Sequence, residues 1–540
     1  MSRLEIASPK RAKIVMEGLY KDLERRIESS PPGLCPVDMA RAFLELCHAQ
    51  TCGKCVPCRI GLGQLNNFIR EVLDGKATMK TLDIMEQTAL SIMESADCAI
   101  GYEAANMVYK GLIGYRDDYI EHIQNGRCTC TYNQPVPCVS LCPAHVDIPG
   151  YIALVGEGRY ADAIRLLRKD NPFPTTCGFI CEHPCEARCR RNMVDDSINI
   201  RGLKRVAADF AGEVDPPQCA PSTGKKIAIL GGGPGGLSAA YYLQLMGHQT
   251  TVYEMLPELG GMLRYGIPNY RLPKERLDDD IRAILKTGVQ VKNGLKIGQD
   301  ITIQELRQQY DVVLITIGAS TDKKLGLENE DADGIISAVQ FLRNVGKNQI
   351  IDLTGKEVAV IGGGNVSMDA VRTAKRLGAK KVSIVYRRRV ADMTALPGEI
   401  EGAVAEGIEL QTLKAPASID VDENHHVKGI YVTPQMVSSI RDGRASIKPT
   451  GEEDIYIPCD VLIVAIGQNI ETHHFEQAGI PVERGKIITK STGAFENLPG
   501  VFAGGDCASG PASVIKAIAA AKVVAANIDE YLGYHHEISC

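Results

Sequence analysis

The sequence predicts a multidomain protein in which α-helical, cysteine-rich domains precede α/β domains built on two Rossmann-like dinucleotide-binding folds. Three observations predict it. Twelve of the eighteen cysteines fall in three tight groups before residue 190. Further on, KKIAILGGGPGGLSAAYYLQLMGHQTTVYEM and KEVAVIGGGNVSMDAVRTAKRLGAKKVSIVYRRR each read as strand, glycine turn, helix and strand. At 540 residues the chain is also too long for a single core.

Composition narrows the function classes. Hydrophobic residues make up 44% and charged residues 23%, ordinary values for a globular protein. A net charge of −6 argues against general nucleic-acid or membrane-surface binding. The opening MSRLEIASPKRAKIVMEG has scattered charges and no apolar segment of the signal-peptide kind. No run of about eighteen uncharged apolar residues occurs, so no membrane span is expected and the location is read as cytoplasmic. Thiols stay reduced there, so the cysteines point to metal binding or catalysis rather than disulfides. Cys35, Cys47, Cys219, Cys459, Cys507 and Cys540 are scattered and read as small buried or surface thiols.

The first cysteine group is TCGKCVPCRIG, with Cys52, Cys55 and Cys58, followed by Cys98 in ESADCAIGYEAA. The segment between has helical apolar spacing with breaks expected near Gly75 and Thr81, enough helix to fold back and deliver Cys98. Three thiols in Cys-x2-Cys-x2-Cys spacing plus one distant thiol is a 4Fe-4S pattern. Structural zinc more often uses two separated Cys-x2-Cys pairs. From about residue 30 to 115 these motifs resemble the iron–sulfur domain of the NADH-binding flavoprotein subunit of respiratory complex I and its hydrogenase and formate dehydrogenase relatives. In that family the FMN and NADH sites precede this domain. The 51 residues before Cys52 are too few for them, so the resemblance implies the cluster module alone, facing another subunit.

RCTCTYNQPVPCVSLCPAHVDIPGYI supplies Cys128, Cys130, Cys138 and Cys142, and TTCGFICEHPCEARCRR supplies Cys177, Cys181, Cys185 and Cys189. Eight thiols match two more 4Fe-4S clusters, three in all. The second run places a cysteine at every fourth residue, one face of a continuous helix, although Pro184 predicts a break. These motifs resemble the small subunit of glutamate synthase, the amino-terminal domain of dihydropyrimidine dehydrogenase and the large subunit of the ferredoxin-dependent NADH:NADPH transhydrogenase. The resemblance implies one cluster on Cys128, Cys130, Cys138 and Cys189, and another on Cys142, Cys181 and Cys185. Relatives complete the second with a glutamate or glutamine at the position of Lys204 in SINIRGLKR. An ammonium has no lone pair for iron, which leaves Cys177 as the expected fourth ligand. The first pair is Cys-x-Cys where relatives have Cys-x2-Cys.

In the first nucleotide unit Gly231, Gly233 and Gly236 fit G-x-G-x-x-G, and Glu254 ends the second strand. The glycines permit the tight turn, close approach to a pyrophosphate and helix-on-strand packing, and the acid suits ribose hydroxyls. ELGGMLRYGIPNYRLPKE, with Gly261, and TGAFENLPGVFAGGDCASGPASVIKAIAAAK, with Gly505 and Asp506, resemble the FAD segments of the glutamate synthase small-subunit family. The resemblance puts Asp506 on the ribityl chain and aims a helix starting near Pro511 at the flavin. VVLITIGAS and VLIVAIGQN read as buried strands ending in glycine. In the second unit Gly362 and Gly364 fit the turn, Asn365 follows, and Ser367 replaces the third glycine. Its second strand ends in Tyr386-Arg387-Arg388-Arg389 with no acid, which argues for the 2′-phosphate of NADP(H) on Arg387 and Arg388. Of the three arginines, Arg389 is the first candidate for a merely solvated side chain.

The expected domains are 1–122 (complex-I-type cluster domain), 123–220 (two clusters), 221–325 (FAD, first part), 326–455 (inserted NADP(H) fold) and 456–540 (FAD, second part). NADP(H) and FAD exchange a hydride and the clusters carry single electrons. That transfer needs no acid–base pair or nucleophile, so no catalytic side chain is expected. His536 reads as part of a solvated tail. The whole-chain resemblance implies a subunit of an electron-bifurcating NADH-dependent ferredoxin:NADP+ transhydrogenase. Its partner would be an FMN- and NADH-binding iron–sulfur flavoprotein, and ferredoxin would be served indirectly. A glutamate synthase small subunit, a diaphorase subunit of a hydrogenase or formate dehydrogenase, and a structural subunit with vestigial cofactors are the alternatives. The main reading predicts about twelve irons and one FAD per purified chain by metal analysis and flavin absorbance; little iron and no flavin would favour the structural subunit.

Overall fold

The computed structural model describes residues 15–21, 35–125, 136–187, 189–193, 195–349, 351–441 and 444–536. The chain forms two compact units, 1–142 with 184–199 and 143–183 with 200–540. The stretch 123–220, expected as one domain, contributes to both.

In the first unit, apolar residues at helical spacing build helices Pro36–Ala49, Leu62–Leu73, Met79–Ser95, Ala99–Gly114 and Arg116–Asn125. Their inward faces bury Phe43, Leu44, Leu65, Ile69, Met85 and Val108 in one core. The chain breaks at Gly75, which takes a left-handed φ of +67°. Thr81 is not a second break. It lies in the first turn of Met79–Ser95, where its hydroxyl accepts from the Thr78 N–H at 3.0 Å and caps the helix.

The second unit carries two five-stranded parallel sheets. The first runs in the order Val501–Ala503, Val312–Ile315, Lys226–Leu230, Gln249–Glu254, Gln290–Asn293. The second runs Ile335–Ser337, Val461–Val464, Glu357–Ile361, Lys381–Tyr386, Glu409–Thr412. Strands such as Val312–Ile315 are buried on both faces, as near-continuous apolar runs require. The second sheet thus lies in the chain between strands of the first. Val461–Val464, which a boundary at 455/456 would assign to the FAD part, pairs with Glu357–Ile361 in the second sheet. An antiparallel sheet of Lys414–Val421, Val427–Arg441, Arg444–Pro449 and Ile455–Pro458 sits in the same insertion. The run CEHPC is broken as Pro184 predicts: Pro174–Ile180 ends before a separate short helix, Pro184–Ala187. Past Asp506 the chain makes a short turn, Asp506–Ser509, and the long helix begins at Val514, three residues beyond Pro511.

The two nucleotide folds are joined by a buried ion network. Arg271 binds Asp369 at 2.8 Å and Glu399 at 3.1 Å, and Arg372 binds Glu399 at 2.7 Å. The Arg372 and Arg376 guanidinium groups lie 5.0 and 4.0 Å from the Tyr270 ring centroid. Burial pushes the Asp369 carboxyl up to about 6 despite the Arg271 contact.

His536 is not in a solvated tail. Its backbone N–H and Nδ1 donate to the two Asp529 oxygens at 2.7 and 2.8 Å. Buried His248 donates from Nε2 to Asp529 at 2.9 Å and faces the Thr223 hydroxyl with Nδ1 at 2.7 Å. The segment after Tyr531 is therefore clasped to the first glycine-turn fold. Burial holds the His248 imidazole below its ordinary 6.5, although Asp529 pulls it up. A depressed histidine stabilises the folded state above the unfolded pKa, and that contribution is lost as pH falls. The clasp is expected to loosen as pH falls below 6.5, read as faster amide exchange at 222–224 and 532–536; unchanged exchange there would contradict it.

Candidate flavin, pyridine-nucleotide and iron–sulfur sites

The first glycine turn is set by the absence of side chains. A Cβ on Gly236 would lie 1.9 Å from the Gly231 carbonyl oxygen, so helix Pro234–Leu245 can seat on its strand only with glycine there. Gly231 takes φ +109°, and Gly261 takes φ +51° with a Cβ position 2.8 Å from Gly233 Cα. Glu254 closes its strand by accepting from the N–H groups of Gly232 at 2.6 Å and Leu256 at 2.9 Å. Burial pushes its carboxyl up, and those N–H groups oppose the shift.

Gly231, Gly233, Glu254, Gly261, Gly505 and Asp506 line one cleft of about 1190 Å³, open mouth included. Gly236 does not line it; its part is packing. Asp506 reaches the cleft with one buried carboxylate oxygen that has no partner among the described residues, and burial pushes it up to about 6. An orphaned acceptor, glycine walls and a helix N-terminus are the groups that ribose or ribityl hydroxyls and a pyrophosphate satisfy, so the cleft fits FAD. Sequence reasoning missed Arg343 and the Lys296–Glu471 pair, at 2.8 Å, on the cleft wall. They come from connecting segments that carry no motif.

The second turn solves the same problem differently. Gly362 takes φ +147°, and its Cβ position would lie 2.4 Å from both the Ala465 carbonyl oxygen and Ser367 Oγ. The bare Gly362 is what lets a buried serine stand where the first fold has its third glycine. At the strand end Tyr386 stands in for Glu254. Its ring lies 2.6 Å from a Cβ position on Gly363, and its hydroxyl donates to the Asp392 carbonyl at 2.7 Å. Arg387 is exposed and Arg388 half-buried beyond it. Arg389 is not merely solvated: its Nε binds the buried Asp392 carboxylate at 2.8 Å. Gly364 caps helix Asn365–Arg376. The Asn365 amide donates to Glu182 at 3.0 Å and accepts from the Leu396 N–H at 2.9 Å. Asn365 therefore shapes the turn through protein contacts.

In the first unit Cys52, Cys55, Cys58 and Cys98 converge. Cys58 is buried where Pro57–Gly61 widens into a π-turn, a distortion that recurs at functional sites. Burial pushes its thiol up to about 12, and Cys55, Cys98 and Cys52 add to the shift. Burial also raises Cys55, yet N–H groups of Asp97 and Cys58 hold it below its ordinary value. A Cβ on Gly101 would lie 2.6 Å from Cys58 Sγ, so the helix behind Cys98 must be bare at that point. Four thiols gathered about Cys58 fit a 4Fe-4S cluster. Cys138 lies near Cys189 and Cys142 in the same unit, where burial raises its thiol. Cys185 is buried there too. Cys128 and Cys130 fall outside the described residues. In the second unit Cys177 and Cys181 hydrogen-bond each other. That bond and burial push the Cys177 thiol well up, while the same bond pulls Cys181 down to about 6; buried Lys204 lies close enough to act on both, favouring the charged form of each.

Three family models match the chain. The model of the NADH-ubiquinone oxidoreductase-F iron-sulfur binding region matches residues 38–122, and that of dihydropyrimidine dehydrogenase domain II, 4Fe-4S cluster, matches 114–215. The pyridine nucleotide-disulphide oxidoreductase model matches residues 225–521, more than half of the chain. The chain belongs to the pyridine nucleotide-disulphide oxidoreductase family. This family member is 32% identical to the NADP(+)-dependent formate dehydrogenase subunit beta of Moorella thermoacetica, over 91% of this chain and 79% of the relative. It is 34% identical to the NADPH-Fe(3+) oxidoreductase subunit beta of Geobacter sulfurreducens, over 93% and 79%. It is 34% identical to the glutamate synthase [NADPH] small chain of Escherichia coli, over 73% and 88%. It is thus a flavin- and iron–sulfur-dependent NAD(P)H oxidoreductase, similar to the glutamate synthase small subunit and carrying 4Fe-4S domains. Among its described residues no helix is long and apolar enough to cross a membrane. Gly236→Ala is expected to lower flavin content about tenfold, a modest 1.4 kcal/mol beside so close an approach; an unchanged flavin-to-protein absorbance ratio would contradict the packing argument.

Proposed function

We propose that this chain is the NADP(H)-facing electron-transfer subunit of a cytoplasmic multisubunit complex. FAD, when bound, takes or gives two electrons as a hydride and exchanges single electrons with 4Fe-4S clusters. Gly231, Gly233, Glu254, Gly261, Gly505 and Asp506 hold the flavin nucleotide, with Gly236 fixing the turn. Gly362 and Gly364 give the second nucleotide's phosphates access to the turn, Asn365 shapes it, and Arg387 and Arg388 receive the 2′-phosphate. Cys52, Cys55, Cys58 and Cys98 hold one cluster. Cys128, Cys130, Cys138, Cys142, Cys177, Cys181, Cys185 and Cys189 serve two more.

The observation that carries the NADP(H) assignment is the contrast at the two strand ends. Glu254, at one, would repel a 2′-phosphate, whereas Tyr386-Arg387-Arg388, at the other, brings guanidinium groups. The finer activity we propose is electron-bifurcating NADH-dependent ferredoxin:NADP+ transhydrogenation with an FMN- and NADH-binding iron–sulfur partner. Support for it comes from the sequence resemblance and from a complex-I-type cluster domain in front of the flavoprotein. A second reading, the NADP(H) subunit of a formate dehydrogenase, is favoured by a relative of that name aligning over 91% of this chain.

Co-purification from the native cell, followed by assays with NADPH, NADH, ferredoxin and formate, separates the two. Ferredoxin-coupled NADH turnover supports the first, formate-coupled NADP+ reduction the second. Replacing Arg387 and Arg388 together by Ala is expected to raise KM for NADPH about 10- to 100-fold and to leave NADH unaffected. Faster flavin reduction by NADH than by NADPH in the unaltered protein would overturn the assignment.

A further inference from the structure

Cys177 and Cys181 lie on and just beyond helix Pro174–Ile180, which crosses helix Ile200–Phe210 at unusually close range. A Cβ on Gly178 would come within 3.0 Å of Arg205 Cα, so the glycine is what allows the crossing. Arg205 stacks on Phe179 at 4.1 Å and Arg201 Nη1 donates to the Cys181 carbonyl at 3.1 Å, fixing the register. That register turns Lys204 inward. It is only 6% exposed, and its Nζ stands 6.0 Å from the centroid of the fully buried Tyr151 ring. The Tyr151 hydroxyl is held in turn by the Ile200 carbonyl at 2.8 Å. Cys177 is fully buried alongside.

A lysine is rarely buried unless negative charge faces it. Cys177 and Cys181, and a cluster held on them, would place such charge beside it. We propose that Lys204 tunes this cluster: its ammonium, fixed beside Cys177 and Cys181 by the helix crossing, raises the reduction potential. The proposal rests on the reading that Cys181 ligates a cluster. The physics is direct. Reduction adds one negative charge, and a fixed cation in a dry, low-dielectric site stabilises the more negative state. Lys204 is then a positioned charge and takes no part as a ligand.

The test is an EPR-monitored redox titration of the holoprotein with dithionite, with iron counted for every variant. Cys181→Ala identifies the cluster as the signal it removes. An unchanged iron count in that variant overturns the cluster reading and the proposal with it. Lys204→Met is expected to keep the iron while the equilibrium constant for one-electron reduction of that cluster falls about tenfold, 59 mV for one electron. Lys204→Arg is expected to retain the parent potential. A full iron count with an unchanged potential in Lys204→Met overturns the tuning and leaves the cluster reading standing. Loss of iron from both variants also overturns it, since the lysine would then serve shape. Loss from the methionine variant alone supports a need for positive charge.

Discussion

The two nucleotide folds meet through one guanidinium. Arg271, on the segment after the first glycine turn, sits between Asp369 on the helix of the second turn and Glu399 beyond it. All three are largely buried, so none is free to drop out: a partner left alone would be an unpaired buried charge, at a cost of about 3–5 kcal/mol. Arg372, tied to Glu399 and laid over Tyr270, extends the network from the second fold back to the first. The helix of the second glycine turn is thereby held against the segment that follows the first. The relative placement of groups bound at the two turns depends on that register, because a displacement of about 0.5 Å already weakens a preorganised site.

Within each fold, backbone proximity does the selecting. Gly236 passes the Gly231 carbonyl so closely that a methyl group has no room, and the first helix is drawn onto its strand. In the second fold a serine hydroxyl fills the corresponding space because Gly362 is bare. The strand ends then diverge. Glu254 is committed to two backbone N–H groups and ends its strand as a buried acid, whereas Tyr386 is committed to Gly363 and Asp392 and leaves the arginines to follow. One topology ends in a buried acid at one strand and in a tyrosine followed by arginines at the other.

Local patterns were legible in the sequence. Glycine spacing, strand runs and cysteine grouping are properties of a few consecutive residues, and the structure brings the residues they mark to one cleft, two glycine turns and the Cys52–Cys98 convergence. What escaped depends on residues far apart in the chain. His536 meets His248 only because the last helix lies along the first glycine-turn helix. Arg389 finds Asp392 through a one-turn helix with no signature of its own. An ammonium is no ligand, and the burial of Lys204 beside Cys177 depends on Gly178 letting two helices touch, a contact between distant residues. Val461–Val464 reads the same as any buried strand, and only its pairing partner assigns it to the second sheet. Thr81 breaks a helical pattern by composition, yet a threonine in a first turn is also a capping residue.

The interleaved order of the two sheets also sets an order of assembly on the ribosome. The second sheet has all its strands once the chain has passed Val464, while the first has only four of its five until Val501–Ala503 emerge. Until then Val312–Ile315, apolar on both faces, is an open edge, the kind of surface that pairs with other chains. The inserted fold can close first during synthesis. The flavin fold is completed last, by a three-residue strand, and a chain stalled or cut before it would carry a finished nucleotide fold beside an adhesive one.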